Sequence, residues 1–80
     1  MPGMKLPTMT PVRSSNLAAL GYDTNGLFVA FRNGSTYRYP AVPREVYEGA
    51  LEAPSVGSWF AGAIRGRYEG SKVNGEPDSE

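Results

Sequence analysis

The dipeptide Asn33-Gly34 stands between two runs of residues that favour β-strands, and it constrains the fold more than any other feature. The run 27–32 before it is rich in aliphatic and aromatic residues and predicts a central strand. The run 35–40 after it alternates with period two, which places its two tyrosines on one face and Arg38 on the other. Because Asn-Gly is a strong signal for a type I′ hairpin turn, the two runs are predicted to pair antiparallel.

The flanking segments predict one further strand and two helices. An apolar run over residues 16–22 closes at the turn-forming segment 23–26 and predicts a strand that precedes the hairpin. Residues 43–53 show helical spacing with Pro43 in the first turn, and Pro54 is predicted to end this helix. Ser55 is a predicted N-cap for a second helix. The sequence therefore predicts a small α+β fold, a three-stranded antiparallel meander with two helices packed on one face. Residues 65–68 are predicted to leave the second helix, with a short extra C-terminal edge strand as an open alternative.

Charge is unevenly distributed in a chain whose eight basic and eight acidic residues sum to zero. Residues 1–68 contain seven basic and four acidic side chains, whereas residues 69–80 contain one basic and four acidic side chains. The acidic segment 69–80 has a single aliphatic residue, so we predict a disordered tail. The segment 1–12 is predicted to be a flexible arm, which leaves residues 13–68 as the one folded domain.

The chain has no histidine and no cysteine, which excludes several classes of chemistry. Zinc fingers, thiolate metal sites, disulfides and nucleophiles that depend on histidine all require those residues. Glu45, Glu48 and Glu52 follow the outer stripe of the first predicted helix, which is typical of a solvated face rather than of an acid-base pair. We therefore predict no catalysis, no cofactor and no metal. Without a long apolar run or a signal-peptide core, the predicted location is the cytoplasm.

Arginine supplies six of the eight basic residues, and its planar guanidinium group suits bidentate contact with phosphate. Arg32 and Arg38 are predicted to share the uncovered face of the sheet if the strand register pairs them. Arg65 and Arg67 follow the second helix, where they could alternatively satisfy its last carbonyl groups. With a stacking tyrosine and two neutral hydrogen-bonding residues, the predicted ligand-binding set is Ser15, Asn16, Arg32, Arg38, Arg65, Arg67 and Tyr68.

Two other aromatic features each have two interpretations. Tyr37 and Tyr39 are predicted either to form core beneath the helices or to stack nucleic-acid bases on an open sheet. Trp59 lies in the apolar stripe of the second helix, and it is also the candidate anchor for a protein interface.

Seven short motifs in order resemble the KTSC domain family. They are Ser14-Ser15-Asn16, Gly21-Tyr22-Asp23, Leu27-x-Val29-x-Phe31, Gly34-x-x-Tyr37-x-Tyr39, Val42-Pro43-x-x-Val46-Tyr47, Ala53-x-Ser55-x-Gly57-x-Trp59-Phe60 and Ile64-Arg65-x-x-Tyr68. The KTSC domain is a module at the C-terminus of some lysyl-tRNA synthetases and also occurs alone in small bacterial and phage proteins. The resemblance, through that attachment and the central Tyr-x-Tyr, implies RNA binding.

This chain departs from the family pattern at two places. Ala61 stands where an asparagine often follows the aromatic pair, and Glu69-Gly70 replaces the usual basic ending. Both differences remove groups that would hydrogen-bond or attract an anion.

The leading prediction is a non-enzymatic binding module for RNA or a nucleotide-like phosphate ligand. The alternative is a small, phage-encoded protein that binds and inhibits or redirects a host protein, or a dimer that sequesters a signalling nucleotide. No membrane partner is predicted, and the oligomeric state stays open, although association would help so small a core.

Overall fold

The computed structural model describes residues 6–73, and its main element is a five-stranded antiparallel sheet. The strands follow one another in chain order across the sheet. They are β1 (Thr10–Pro11), β2 (Leu17–Asp23), β3 (Gly26–Phe31), β4 (Thr36–Tyr39) and β5 (Ser71–Lys72). The three longer strands β2, β3 and β4 are the meander that the sequence predicts. The two edge strands were not predicted at these positions.

Two helical elements follow the meander. Helix α1 (Arg44–Glu52) begins after Pro43 and ends before Pro54, as the positions of the two prolines predict. Helix α2 (Val56–Trp59) begins at Ser55, whose hydroxyl accepts a hydrogen bond from the backbone N–H of Ser58 at 3.2 Å. This bond confirms the predicted N-cap. The helix then widens into a π-helical segment, Phe60–Ile64.

The main core lies between the helices and one face of the sheet. Leu27 and Val29 of β3 point to this face and are fully buried, together with Leu20 of β2. The helices contribute Ala50, Phe60 and Ile64, which are all buried in the same cluster. The arrangement confirms an α+β domain with two helices on one face of an antiparallel sheet. No helix within residues 6–73 is long and apolar enough to cross a bilayer.

The opposite face of the sheet has a smaller buried region of its own. Phe28 points away from the helices, is fully buried, and pairs in register with Gly21 of β2. A Cβ atom placed on Gly21 would lie 3.0 Å from the Pro7 side chain and 3.0 Å from the Thr8 carbonyl oxygen. The N-terminal segment 7–9 therefore covers this part of the sheet, where the sequence predicted an open surface.

The sheet is wider than predicted at both edges. Strand β1 lies within the predicted arm 1–12, and β5 lies within the predicted tail 69–80. The predicted extra edge strand at residues 65–68 is wrong in position, because that segment is a turn and the edge strand is β5. Residues 1–5 of the predicted arm and 74–80 of the predicted tail lie outside the described residues.

The hairpin between β3 and β4 is confirmed, but its predicted turn type is wrong. A type I′ turn needs a positive φ at both central residues. Gly34 has φ +98°, but the φ of Asn33 is not positive, because only glycines have a positive φ among the described residues. Gly34 donates to the carbonyl of Phe31 and Phe31 donates to that of Ser35, which is the bonding of a longer turn that ends in a glycine bulge.

Candidate functional site

A groove of about 630 Å³ opens where the end of β3 approaches the π-helical segment. We call it the arginine groove, because Arg32 and Arg65 both line it. Its other polar and small lining residues include Ser15, Asn16 and Ala61. No carboxylate lines it within the described part of the chain. Four members of the predicted ligand-binding set, Ser15, Asn16, Arg32 and Arg65, therefore come together at one site.

The position of Arg32 is determined by the loop that precedes β2. The backbone N–H of Arg32 donates to the carbonyl of Asn16 at 2.8 Å, and its Nε donates to the carbonyl of Ser14 at 2.6 Å. The Ser14 hydroxyl in turn accepts the N–H groups of Asn16 and Leu17, each at 3.2 Å. These bonds use one donor of the Arg32 guanidinium group and leave the others available to a ligand.

The π-helical segment places Arg65 on the opposite wall of the groove. The N–H of Arg65 donates to the carbonyl of Phe60 at 2.9 Å, five residues earlier, which is the bond that defines a π-helix. Its guanidinium carbon lies 6.0 Å from the centroid of the Phe60 ring. This distance is within the range of a cation–π contact. The wider turn therefore directs an exposed cation and a buried ring to one side, and such segments occur frequently at functional sites.

Arg38 does not line the arginine groove, and the strand register does not pair it with Arg32, which was the condition of the prediction that the two act together. The register pairs Arg38 with Phe28, whereas Arg32 follows the end of β3, four residues farther along. Four residues correspond to roughly 13 Å along a strand. The Arg38 side chain instead donates to the carbonyl of Asn25 at 3.2 Å, at the other end of the hairpin.

Arg67 also lies away from the arginine groove. Its Nε donates to the carbonyl of Gly62 at 3.0 Å, so it satisfies a helical carbonyl group as the alternative interpretation predicted. It lines a separate, shallow depression with Trp59 and Tyr68. The Trp59 indole is partly buried and donates to the carbonyl of Val46 at 3.2 Å, which ties α2 to α1. Trp59 is thus a packing residue in the isolated chain rather than an open anchor.

Tyr37 and Tyr39 both point to the helix-covered face. Tyr39 is buried and packs edge to face against Phe60, with ring centroids 6.0 Å apart. Tyr37 is half-buried and packs edge to face against Phe31 at 5.6 Å. The core interpretation is therefore confirmed for Tyr39, and stacking of bases on an open sheet face is excluded for both residues.

The environment of Tyr39 contains both apolar and charged groups. Burial raises the pKa of the Tyr39 hydroxyl above its ordinary value of 10.0, and the nearby Tyr37 hydroxyl raises that pKa further. The Arg65 guanidinium acts in the opposite direction on the same pKa, because a cation favours the phenolate. Arg65 therefore faces the tyrosine cluster as well as the arginine groove.

A second cavity, of about 370 Å³, adjoins the arginine groove. We call it the aromatic pocket, because its walls include Phe31, Tyr37, Tyr39, Phe60 and Tyr68. Asn33 and Arg65 line both cavities, so the two are continuous. Tyr68 thus lies at a cavity, although not at the arginine groove where the sequence grouped it with Arg65.

Sequence reasoning missed three residues at the site. The sequence placed Phe31 in the central strand, Phe60 in the second helix and Asn33 in the turn, yet all three line both cavities. Period-two alternation does place Phe31 on the tyrosine side of the sheet. The role of Phe60 depends on the π-helical segment, which no spacing rule in the sequence indicates.

Comparison with known proteins identifies relatives of this chain. The family model described as "KTSC domain" matches residues 13–68. A protein of Tsukamurella paurometabola is 40% identical over 62 residues, which cover 75% of this chain and 92% of that protein. An uncharacterized protein of Stutzerimonas stutzeri is 49% identical over 51 residues, 61% of this chain and 72% of that protein. The crystal structure of a KTSC domain protein from Yersinia pestis is similar with a TM-score of 0.76 and 34% identity, over 82% of this chain and 96% of that one.

Proposed function

The chain belongs to the KTSC domain family, and we propose that this member is a non-enzymatic module that binds the phosphate of RNA or of a nucleotide-like ligand in the arginine groove. One observation carries the proposal. Arg32 and Arg65, which are 33 residues apart in sequence, line one groove to which the described residues contribute no carboxylate. A pair of arginines without a counter-ion is suited to a planar or tetrahedral anion.

The charges around the groove agree with this proposal. In the described part of the chain, the one ion pair joins Arg44 to Glu48 on the outer side of α1, with 3.4 Å between Nε and Oε2. Arg32 and Arg65 are both exposed at the groove, and Ser15 and Asn16 add neutral hydrogen-bonding groups beside them. Two guanidinium groups next to neutral donors form a site that attracts phosphate, but charge alone discriminates little between one phosphate ligand and another.

The experiment is a titration of a labelled, short single-stranded RNA in about 0.1 M salt, followed by fluorescence anisotropy. A double variant, Arg32→Ala with Arg65→Ala, removes both cations of the groove. The matched control, Arg38→Ala with Arg67→Ala, removes the same charge from residues outside it. We expect the groove variant to bind at least about tenfold more weakly than the wild type, since each charge-assisted hydrogen bond is worth about 1.5–3 kcal/mol.

The control variant should bind within about threefold of the wild type, because long-range attraction is screened beyond roughly 10 Å in moderate salt. Competition with a free nucleoside monophosphate separates the two ligand sources: displacement at similar phosphate concentration favours a nucleotide, and failure to displace favours an RNA strand. Equal losses in the two double variants, or no association of the wild type at tens of micromolar, would contradict the proposal.

The alternative of a protein partner has less support. The candidate anchor Trp59 is half-buried, and its indole N–H is already bonded within the chain. Leu51, at 52% exposure, is the one large aliphatic residue exposed among those described. A single exposed leucine is ordinary for a protein surface.

A further inference from the structure

The aromatic pocket suggests a more specific ligand than phosphate alone. We infer that it is a base-binding site, so that a nucleotide binds with its phosphate in the arginine groove and its base in the aromatic pocket. This inference rests on the proposed function, because it takes the arginine groove as the phosphate site. It assigns one ligand class, a nucleotide or the terminal nucleotide of an RNA strand.

Continuity of the two cavities is the first argument. Phe31, Asn33, Phe60 and Arg65 line both of them, so no wall separates the groove from the pocket. Arg65 stands between the two and has its guanidinium group over the Phe60 ring. A ligand that is anionic at one end and flat and aromatic at the other matches this order of surfaces.

The second argument is the rigidity of the aromatic wall. Phe31 packs edge to face against both Tyr37 and Phe60, with centroids 5.6 Å apart in each pair. Tyr39 also packs edge to face against Phe60, with ring centroids 6.0 Å apart. Edge-to-face packing fixes the orientation of each ring, so the wall exists before a ligand arrives. A preformed aromatic surface is what base stacking requires.

Access to the pocket is the third argument. Gly66 and Gly70 line it, and neither has a side chain that could close the mouth. Gly66 has φ +79°, a conformation that favours glycine, and a Cβ atom there would meet no other atom within 4 Å. At Gly70 the backbone packs against the Tyr39 ring and leaves no room for a side chain, so backbone alone forms the rim at both glycines after the π-helical segment.

A polar group is also available beside the aromatic wall. The Oδ1 atom of Asn33 accepts the N–H of Ser35 at 2.9 Å, which fixes the side-chain amide. Its Nδ2 group is left to donate to an acceptor atom on the edge of a base. The pocket thus combines a stacking surface with a hydrogen-bond donor at its border.

The test compares two ligands that differ only by the base, adenosine 5′-monophosphate and ribose 5-phosphate, by NMR titration of the full chain. We expect adenosine monophosphate to bind at least about tenfold more tightly than ribose 5-phosphate, because the stacking of one base raises affinity by about that factor in other binding sites. Ring protons of Tyr37 and Tyr68 should move upfield with adenosine monophosphate and not with ribose 5-phosphate. Trp59, which does not line the pocket, should be unaffected by either.

Tyr68→Leu removes a ring of the pocket and keeps an apolar side chain, and Tyr47→Leu is the matched control on α1. We expect Tyr68→Leu to reduce the affinity for adenosine monophosphate to that for ribose 5-phosphate and to leave the latter unchanged. Tyr47→Leu should change neither affinity. If Tyr68→Leu does not fold, the ring-proton shifts of the wild type decide the question.

The outcomes separate this inference from the proposed function. Equal binding of the two ligands by the wild type, with RNA binding that depends on Arg32 and Arg65, would overturn the base site and leave the phosphate groove. Absence of RNA binding, together with absence of binding by both small ligands, would overturn both. A preference for adenosine monophosphate that survives Tyr68→Leu, without ring-proton shifts at Tyr37, would also overturn the base site.

Discussion

The two faces of the sheet are buried by different parts of the chain. On one face, Leu27 and Val29 lie beneath the helices in the main core. On the other, Phe28 is equally buried but is separate from that core, and the N-terminal segment 7–9 lies beside it over Gly21. Strand alternation thus determines which face a side chain occupies but not what covers that face.

The arginines differ in their position along the sheet. Arg32 and Arg65 lie at the end of the sheet where the loop 13–16 and the π-helical segment leave a groove between them. Arg38 lies at the other end of the hairpin, beside Phe28, and bonds to a turn carbonyl. Arg32 and Arg65 thus line a groove because the covering elements leave space beside them.

Substitution of Phe28 should show the largest effect. We expect Phe28→Ala to lower the free energy of unfolding by about 3–5 kcal/mol, as for other buried aromatic residues, although no helix covers it. Urea unfolding followed by Trp59 fluorescence measures this loss. Leu51→Ala, at a position 52% exposed, is the control and should change stability little.

Removal of residues 1–9 tests whether the N-terminal segment covers Phe28. In the shortened chain Phe28 would already be partly exposed, so Phe28→Ala should lower the free energy of unfolding by clearly less than it does in the full chain. If Phe28→Ala lowers the free energy of unfolding equally in the two chains, another part of the molecule buries Phe28.

The contact at Gly21 provides a smaller and more local test. Gly21→Ala places a Cβ atom 2.6 Å from the Met9 sulfur and 3.0 Å from the Thr8 carbonyl oxygen, so the N-terminal segment must shift. We expect a loss of about 1–3 kcal/mol, which is typical of overpacking. Gly62→Ala is the matched control, because its Cβ atom meets nothing within 4 Å. It should be neutral or stabilising by up to about 1 kcal/mol, since alanine favours helical structure over glycine. Equal effects of the two substitutions would contradict the proposed cover.

The smallest expected effect concerns Tyr39 on the helix-covered face. Its pKa is raised above 10.0, chiefly because burial disfavours the charged phenolate. The unfolded chain therefore loses its Tyr39 proton at lower pH than the folded chain does. The contribution of the protonated Tyr39 hydroxyl to the free energy of unfolding is fully present below pH 10 and is lost as the pH rises through the folded-state pKa. We expect Tyr39→Phe to reduce the alkaline loss of stability in unfolding measured from pH 8 to 11, and an unchanged pH profile would contradict this environment.

Much of the fold follows from local sequence signals. Apolar runs predict the three long strands, and the two prolines and Ser55 predict where the helices begin or end. The edge strands β1 and β5 could not be predicted, because two-residue strands have no periodicity. Their pairing depends on the neighbouring strand rather than on their own residues.

The candidate site follows from the sequence only in part. Residue type selected Arg32, Arg65, Ser15 and Asn16, which line one groove, but it also selected Arg38, which the register places elsewhere. Register depends on the turn, and Asn33-Gly34 forms a turn of a different type from the one expected. The π-helical segment is a second feature that is set by tertiary packing rather than by local preference.

The salt dependence of RNA binding tests the central claim most directly, because it counts the cations that contact phosphate. For single strands, the logarithm of the binding constant falls with the logarithm of salt concentration by about 0.7 per phosphate contact. Arg65→Ala should reduce that slope by about 0.7, and Arg38→Ala should leave it unchanged. A slope that decreases with Arg38→Ala but not with Arg65→Ala would show that the phosphate contacts lie at Arg38, outside the arginine groove.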